Sequence, residues 1–482
     1  MSFGELGIVA LVAYMGVLAV IAEIARRARS DGSPSDHFLA GRDLGILVLF
    51  LTLYATAYSG NSLLGYPGRA YGSGFSFIMA TGFMMSIIVV FHALAPKLRA
   101  AAFREGFVTP GDWVRHRFAS ESGNPAVARA LVVAVGVLMT LALVNFLLAQ
   151  LKAMGLVTSQ VTGGAIPYEA GVIGLAAVIL AYETLGGMRA VAWTDVAQGI
   201  LMLVGLSMLL AWILGEAGGL SAMTAAVAKI RPEAVAVPDA ATCANWFSSI
   251  ALLGLASVIY PQAIQRIYAA KSARTLQRAF AGMAFMPLAT TLVVTLIGIA
   301  AIARIDPSSN IPSDAVMPAL LSEWAQAGGW STAAAIVVFI GALAAIMSTA
   351  DSCLLSLGGL VAQDLLGLPR DSERTTRVGK LLAALLLLSM IPVALQREIT
   401  LWRLIELKME LLVQCVPAFL LAIHWRRLDG AATLAGIVAG TAFSVGLTLA
   451  DITRLWGVHV GVVGLGVNLG LAVVGSLLRR AR

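Results

Sequence analysis

The chain has 482 residues, 59% hydrophobic and 12% charged, with a mean hydropathy of +0.88. A soluble domain carries about 25% charged residues, so the composition excludes a soluble globular protein and indicates a polytopic membrane protein. Lys and Arg (33) exceed Asp and Glu (26), but the basic residues fall in short loops between apolar runs, which is a topology signal and not a nucleic-acid footprint.

Long apolar runs without alternating ~10-residue strands exclude a β-barrel. Cys243, Cys353 and Cys415 are far apart, so neither a metal spacing nor a disulfide framework follows. The GxxxxGK(S/T) phosphate cradle is absent, which leaves ATP-driven transport without its signature. No soluble domain or low-complexity tail is recognisable, and the chain reads as a carrier, not an enzyme.

The N-terminal segment lacks a basic region before its apolar run and carries Arg26, Arg27 and Arg29 after it. That pattern predicts an uncleaved first helix with its N-terminus outside. About thirteen spans of ~20 residues or more follow, near 5–25, 44–66, 74–96, 127–155, 165–184, 191–214, 244–268, 278–303, 331–360, 378–396, 402–424, 431–450 and 458–478. Loops after the odd-numbered spans hold most of the cations, from Arg42 through Arg99, Arg117, Arg189, Lys271, Arg370 and Arg426 to the tail Arg479, Arg480 and Arg482. The opposite loops hold few: Lys229, Arg231, Arg304, Arg397 and Arg454. The sorting predicts an outside N-terminus and a cytoplasmic C-terminus, in a cell inner (plasma) membrane. The outer loops 216–243 and 304–330 are candidates for short interfacial helices.

The second span contains LYATAYSGNSLLGYPGRAYGSG, from Leu53 to Gly74. Gly-Asn-Ser followed by Gly-Tyr-Pro-Gly is poor material for an uninterrupted helix. Backbone without its helical bonds is tolerated at membrane depth only inside protein or against a wet cavity. Taken alone, the stretch reads equally as a broken helix with an ion site or as a kinked packing face. Among the polar residues of the third to sixth spans are Asn145, Gln150, Lys152, Glu183 and Asp195.

The seventh span has Tyr260, Pro261, Gln262, Gln265 and Arg266, and Pro261 removes a backbone bond within it. This second break comes five spans after the first and runs in the opposite direction. That spacing is the expectation for an antiparallel inverted repeat, and it favours a transport site over a packing kink.

The ninth span reads GALAAIMSTADSCLLSLGG, from Gly341 to Gly359. Ala345, Ser348, Thr349 and Ser352 share one helix face. Two hydroxyls and a freed carbonyl suit a hard monovalent cation such as Na⁺, although Ser and Thr bonding back to their own helix is an equally physical use. Asp351 is a buried carboxylate, open to an ion pair, a second cation site or proton carriage. In the eleventh span Glu406 and Lys408 read as snorkelling to the outer interface, while Glu410 and Gln414 lie deeper.

The chain resembles the sodium:solute symporter family, with its LeuT-type core, over nearly its whole length. The motifs in order are FLAGR at 38–42, YSGNSLLGYPG at 58–68, TP at 109–110 with RHRF at 115–118, LGGMRAVAWTDVAQG at 185–199, QRIYAAK at 265–271, AAIMSTADSCLLSLGGLVAQDL at 344–365, and Pro417 followed by HWRR. The resemblance implies an all-α membrane protein with a 5+5 inverted repeat and broken second and seventh helices. The single transporter domain then divides into 1–42, a first repeat 43–215, a second repeat 244–428 and two C-terminal helices 429–482.

It also implies a Na⁺ site from the carbonyls of Ala55, Tyr58 and Ala345 and the hydroxyls of Ser348 and Thr349. A second Na⁺, found in some members, would involve Asp195, Ser348, Asp351 and Ser352, with Asp351 standing where such members often have serine. An acidic residue of proline transporters is here Ala57. Substrate would sit beside the breaks, with Ser59, Asn61, Asn145, Tyr260, Gln262, Glu410 and Gln414 as candidates.

The reading is Na⁺-coupled symport of a small organic solute by alternating access, closest to the monocarboxylate and pantothenate-like branch. The alternatives are a proton-coupled carrier, or Na⁺-coupled amino-acid or sugar symport. A channel or sensor on the same fold is a further class, and the absence of a signalling segment after the last span counts against a sensor. Na⁺, the solute and the lipid bilayer are the expected partners, with no nucleic acid and no obligate protein partner.

Overall fold

The computed structural model describes residues 2–28, 34–122, 124–306, 311–370, 372–396 and 400–480. Arg29, Arg397 and Arg482 lie outside the described residues, as do the side chains of Glu183 and Arg480. The chain is helical apart from one two-residue hairpin, Arg454–Leu455 against Val458–His459, among the described residues. Ten helices are long and apolar enough to cross a membrane by length and composition. The other expected spans, 44–66, 165–184 and 402–424, correspond to short or interrupted pieces, such as Ile46–Ala57 and Tyr168–Ala181.

In chain order the helices that build the site are α1 (Phe3–Arg27), α2 (Ile46–Ala57), α3 (Tyr66–Ser73), α4 (Met79–Glu105), α5 (Pro125–Val161), α6 (Tyr168–Ala217), α7 (Ala240–Ser257) and α8 (Pro261–Ala269). They are followed by α9 (Ala273–Met283), α10 (Val293–Ala301), α11 (Trp330–Gly359), α12 (Glu373–Ala394), α13 (Leu401–Leu412), α14 (Gly430–Leu449) and α15 (Val460–Arg480). The loops 216–243 and 304–330 carry the helices Leu220–Ile230 and Val316–Gln326.

Local chemistry sets the boundaries. Ser2 and Glu5 form a reciprocal capping box on α1. Asn124 caps α5, with Pro125 in the first position, and Asp239 caps α7. The long α6 has two arms meeting at Gly187, whose φ of 61° and ψ of −163° end one helix and start the next. Pro261 opens α8, where its missing N–H costs nothing.

The loops that the sequence places on one side do meet at one end of the bundle. Arg42 donates to the Phe107 and Tyr268 carbonyls, Arg99 to Ala270 and Lys271, and Arg370 to Glu105. Arg117 reaches the carbonyls of Ala422, Trp425 and Arg426, and Arg129 those of Asp364 and Leu365. These guanidiniums satisfy carbonyls that helix C-termini leave without partners. The TP motif serves the same end, because Thr109 Oγ1 and Gly111 N–H both donate to the Asp364 carboxylate, at 2.6 and 3.0 Å.

The two interrupted helices lie side by side. Leu44, just before α2, accepts from Lys271 N–H at 3.1 Å and donates to Ala269 at 3.2 Å in a parallel bridge. α11 crosses both and is buried on nearly all sides from Ala334 to Gly359. Gly60, in the break, fits against α11 so closely that a Cβ there would fall 2.6 Å from Ile346 Cγ1 and 3.0 Å from Ala153 Cβ. Gly60→Ala is therefore expected to cost about 1–3 kcal/mol through overpacking. The check is melting of the purified protein against Gly16→Ala, where nothing lies within 4 Å and helix propensity favours Ala.

Candidate functional site

The first break begins where the α2 ladder runs out. The last bond is Tyr58 N–H to Tyr54 O, and helical bonds resume with Ser62 and Leu63 donating to Ser59. Tyr58 has extended dihedrals (φ −108°, ψ 97°). The intervening Gly60 N–H donates instead to Gln150 Oε1 on α5 at 3.1 Å. The Ala55 to Tyr58 carbonyls are thereby left outside the ladder. The second break spans Val258 to Tyr260, between α7 and α8.

On α11 the two hydroxyls of the sequence reading have different surroundings. Thr349 Oγ1 is buried and has no hydrogen-bond partner among the described residues. Ser348 Oγ donates to Asp195 Oδ1 at 2.5 Å. Neither bonds back to its own helix among the described residues, so the helix-internal use of these hydroxyls is not the one adopted. The Ala345 carbonyl is one turn away on the same face.

Asp195 is the hub of a buried polar knot. Its Oδ2 lies 3.0 Å from Arg266 Nη2, and both side chains are fully buried. Thr52 on α2 donates to the same carboxylate. Arg266 Nε donates to Thr52 Oγ1 at 2.8 Å, Nη2 to Ser352 Oγ at 2.6 Å, and Nη1 to the Gln262 carbonyl at 3.1 Å. The residues expected to hold a second Na⁺, Asp195, Ser348 and Ser352, therefore converge on a protein guanidinium. Asp351, the remaining member, is buried on the same helix with interactions of its own. Arg266 was read only as part of a motif. Its i, i+4 spacing from Gln262 on an otherwise buried helix is the signal that it faces inward.

A cavity of about 70 Å³ lies beside the breaks, lined among others by Ser59, Asn61, Tyr260, Gln262, Arg266 and Lys408. At ~10–15 Å³ per water by this measure, it has room for about five waters or a few heavy atoms of a solute. Apolar side chains including Leu53, Ile87, Phe91, Leu253 and Met409 complete the wall. Asn61 is buried with both amide atoms unpartnered, and Gln262 Oε1 is unpartnered too, among the described residues.

Three substrate candidates fall elsewhere. Asn145 is half-buried on α5 and is not in the cavity wall. Glu410 turns toward α14, 3.2 Å from Thr448 Oγ1 and 3.6 Å from Arg403. Gln414 donates to the Gly461 carbonyl at 3.0 Å and accepts from Asn468 at 3.3 Å. Its amide serves as polar glue in the α14–α15 seam, where small residues bring the backbones close. Glu406 sits in an ion-pair cluster with Arg403 (3.2 Å) and Arg454 (2.8 Å). Lys408 does not snorkel. It is 2% exposed, with Nζ 3.1 Å from the Phe146 ring centroid, because α13 presents its acids to α14 and its lysine to the bundle interior. Lys152 reaches the Gln396 carbonyl at 2.6 Å.

Two broken helices lying against a hydroxyl-bearing third, with a small cavity at the breaks, define a secondary active transporter of the interrupted-helix class. The chain belongs to the sodium:solute symporter family, which it matches over residues 37–440. It is 25% identical to an uncharacterised symporter of Bacillus subtilis over 92% of this chain and 91% of that protein. A sodium/proline symporter of Staphylococcus aureus is 25% identical over 94% of this chain and 89% of its own length. The sodium/pantothenate symporter of Escherichia coli is 32% identical, over 43% of this chain and 42% of its length. In structure the chain resembles a Na⁺-coupled sialic acid symporter in a substrate-bound outward-open state, with a TM-score of 0.79 at 17% identity over 99% of this chain and 98% of that one. It also resembles MhsT, solved with L-phenylalanine, with a TM-score of 0.54 at 14% identity over 88% and 97% of the two chains. The fold is thus the LeuT type, and the chain is a Na⁺-coupled symporter, not an enzyme.

Removing Arg266 alone would leave Asp195 buried without its counter-charge. Arg266→Met is expected to cost about 3–5 kcal/mol, seen as lost folded yield and a lowered melting temperature. Asp195→Asn/Arg266→Gln should recover most of that loss, and a single variant as stable as wild type would remove the knot from the account.

Proposed function

We propose that the protein imports a small organic solute, an organic acid of the monocarboxylate or pantothenate-like kind, with Na⁺ held between the broken α2 and α11. The Ala55, Tyr58 and Ala345 carbonyls and the Ser348 and Thr349 hydroxyls supply the ligands. The observation that carries this reading is the buried, unpartnered Thr349 hydroxyl on α11, the helix that packs across α2, whose Ala55–Tyr58 carbonyls have left the ladder. Neutral oxygens suit a hard monovalent cation. A second ion at Asp195, Asp351 and Ser352 is outside this reading, since Arg266 already neutralises Asp195.

Solute binds at the cavity beside Ser59, Asn61, Tyr260 and Gln262. The repeats 43–215 and 244–428 then rock about it between outward and inward access. The N-terminus outside and C-terminus cytoplasmic follow from the cation sorting, and the bacterial relatives support a plasma (inner) membrane location. One Na⁺ moving inward down 100 mV contributes about 2.3 kcal/mol.

The test is uptake into proteoliposomes with Na⁺ replaced by choline at fixed pH. Accumulation is expected only with Na⁺, and Ser348→Ala/Thr349→Ala is expected to raise the half-saturating Na⁺ at least tenfold. Full uptake in choline would indicate a proton-coupled carrier, and unchanged Na⁺ dependence in the double variant would contradict the ligand assignment.

A further inference from the structure

Two cations line the cavity, Arg266 and Lys408, and no Asp or Glu is among its lining residues. Arg266 is fully committed: it pairs with Asp195 and donates to Thr52, Ser352 and the Gln262 carbonyl. Lys408 is not. Its ammonium lies 3.1 Å from the Phe146 ring centroid and 5.5 Å from that of Tyr260, and among the described residues it makes no ion pair or hydrogen bond. The ring faces offset part of the cost of burying a charge, but they accept none of its three strong hydrogen bonds. An ionisable group held this way inside a membrane marks a pathway or a ligand site.

The neighbouring acids do not relieve it. On a helix, positions two apart point to opposite faces. Glu406 is taken by Arg403, Arg454 and Trp402, and Glu410 by Arg403 and Thr448, on the face away from the cavity. Around Lys408 the cavity offers further unmet polar groups, the Asn61 amide and Gln262 Oε1, within walls that combine hydroxyls such as Ser59, Ser62 and Ser257 with a larger number of apolar side chains. No carboxylate in the lining would neutralise an ammonium, and Ala57, which also lines the cavity, has no charge to offer one.

Resting on the symport reading above, we propose that Lys408 anchors the carboxylate of the transported solute, with the Asn61 amide as a second donor. The substrate class is a small carboxylate with an apolar or hydroxylated body and no cationic group. Zwitterionic amino acids fall outside this class, because the carboxylate would bind while the ammonium stayed buried without a counter-charge.

The experiment is thermal melting of the purified full-length protein in Na⁺ buffer. The probes are potassium acetate, propionate, lactate, pyruvate and pantothenate, with propionamide as the neutral control and L-proline as the zwitterionic one. At least one carboxylate is expected to stabilise wild type, and neither control is. In Lys408→Met the affinity for that carboxylate is expected to fall at least tenfold, Lys408→Arg retaining part of it. The empty Lys408→Met protein is expected to melt no lower than wild type, since an uncompensated charge has been removed, and to keep its stabilisation by Na⁺. Stabilisation by proline or propionamide equal to that by any carboxylate overturns the proposal, as does a panel without a binder. Carboxylate binding unchanged in Lys408→Met, with Na⁺ stabilisation intact, overturns the anchor and leaves the symport reading standing. Carboxylate binding that needs Lys408 but not Na⁺ supports the anchor and removes the coupling.

Discussion

A guanidinium with no access to water must find its counter-charge and every hydrogen bond inside the protein. The Arg266–Asp195 pair meets that demand by drawing on four helices at once. Asp195 comes from the rigid α6, Arg266 from the second interrupted helix, Thr52 from the first, and Ser348 and Ser352 from α11. Both interrupted helices have forfeited backbone bonds at their breaks, and this knot is what fixes each of them to the scaffold. The breaks can stay open because the segments on one side of them are held by charge-assisted bonds that do not depend on the ladder.

The same knot divides the electrostatic work. With Asp195 neutralised by a protein cation, the oxygens assigned to the ion are neutral ones, the Thr349 hydroxyl and the carbonyls freed at the first break. On the proposed assignment such a set would hold a monovalent cation reversibly, which a carrier needs if the ion is to leave on the other side. The cavity is next to the knot but has a separate excess of positive charge, in Lys408. On the proposed reading, ion and solute are recognised by distinct groups, with the broken α2 contributing to both.

Much of this was legible in the residues. Ser-Gly-Asn in an apolar span and Tyr-Pro five spans later locate the two breaks, because each subtracts backbone bonds that hydrocarbon cannot replace. The i, i+3, i+4 pattern of Ala345, Ser348 and Thr349 locates the hydroxyl face of α11. What stayed hidden was set at long range. Lys408 and its neighbours Glu406 and Glu410 allow two opposite orientations of α13, and the residues alone read Glu406 and Lys408 as reaching the outer interface. The choice is made by α14 and α15, whose small-residue seam takes up Gln414 and whose Thr448 receives Glu410. Gln150, read as one of several polar residues in its span, supplies the acceptor for Gly60 N–H across a separation of 90 residues. Arg266 stands in the seventh span beside Gln262 and Gln265, but its partners Asp195 and Ser352 are distant in the chain, so the pairing could not be read locally.

The claim at the centre is that the first break and the Thr349 hydroxyl together make the Na⁺ site. Equilibrium binding of ²²Na⁺ to purified wild type and Thr349→Val measures it directly. The hydroxyl has no hydrogen-bond partner among the described residues, so Val should leave the Na⁺-free melting temperature unchanged or raise it. The account predicts saturable Na⁺ binding to wild type and its loss, or at least a tenfold weakening, in a variant that is equally well folded. Equal ²²Na⁺ affinity in the two proteins would contradict it.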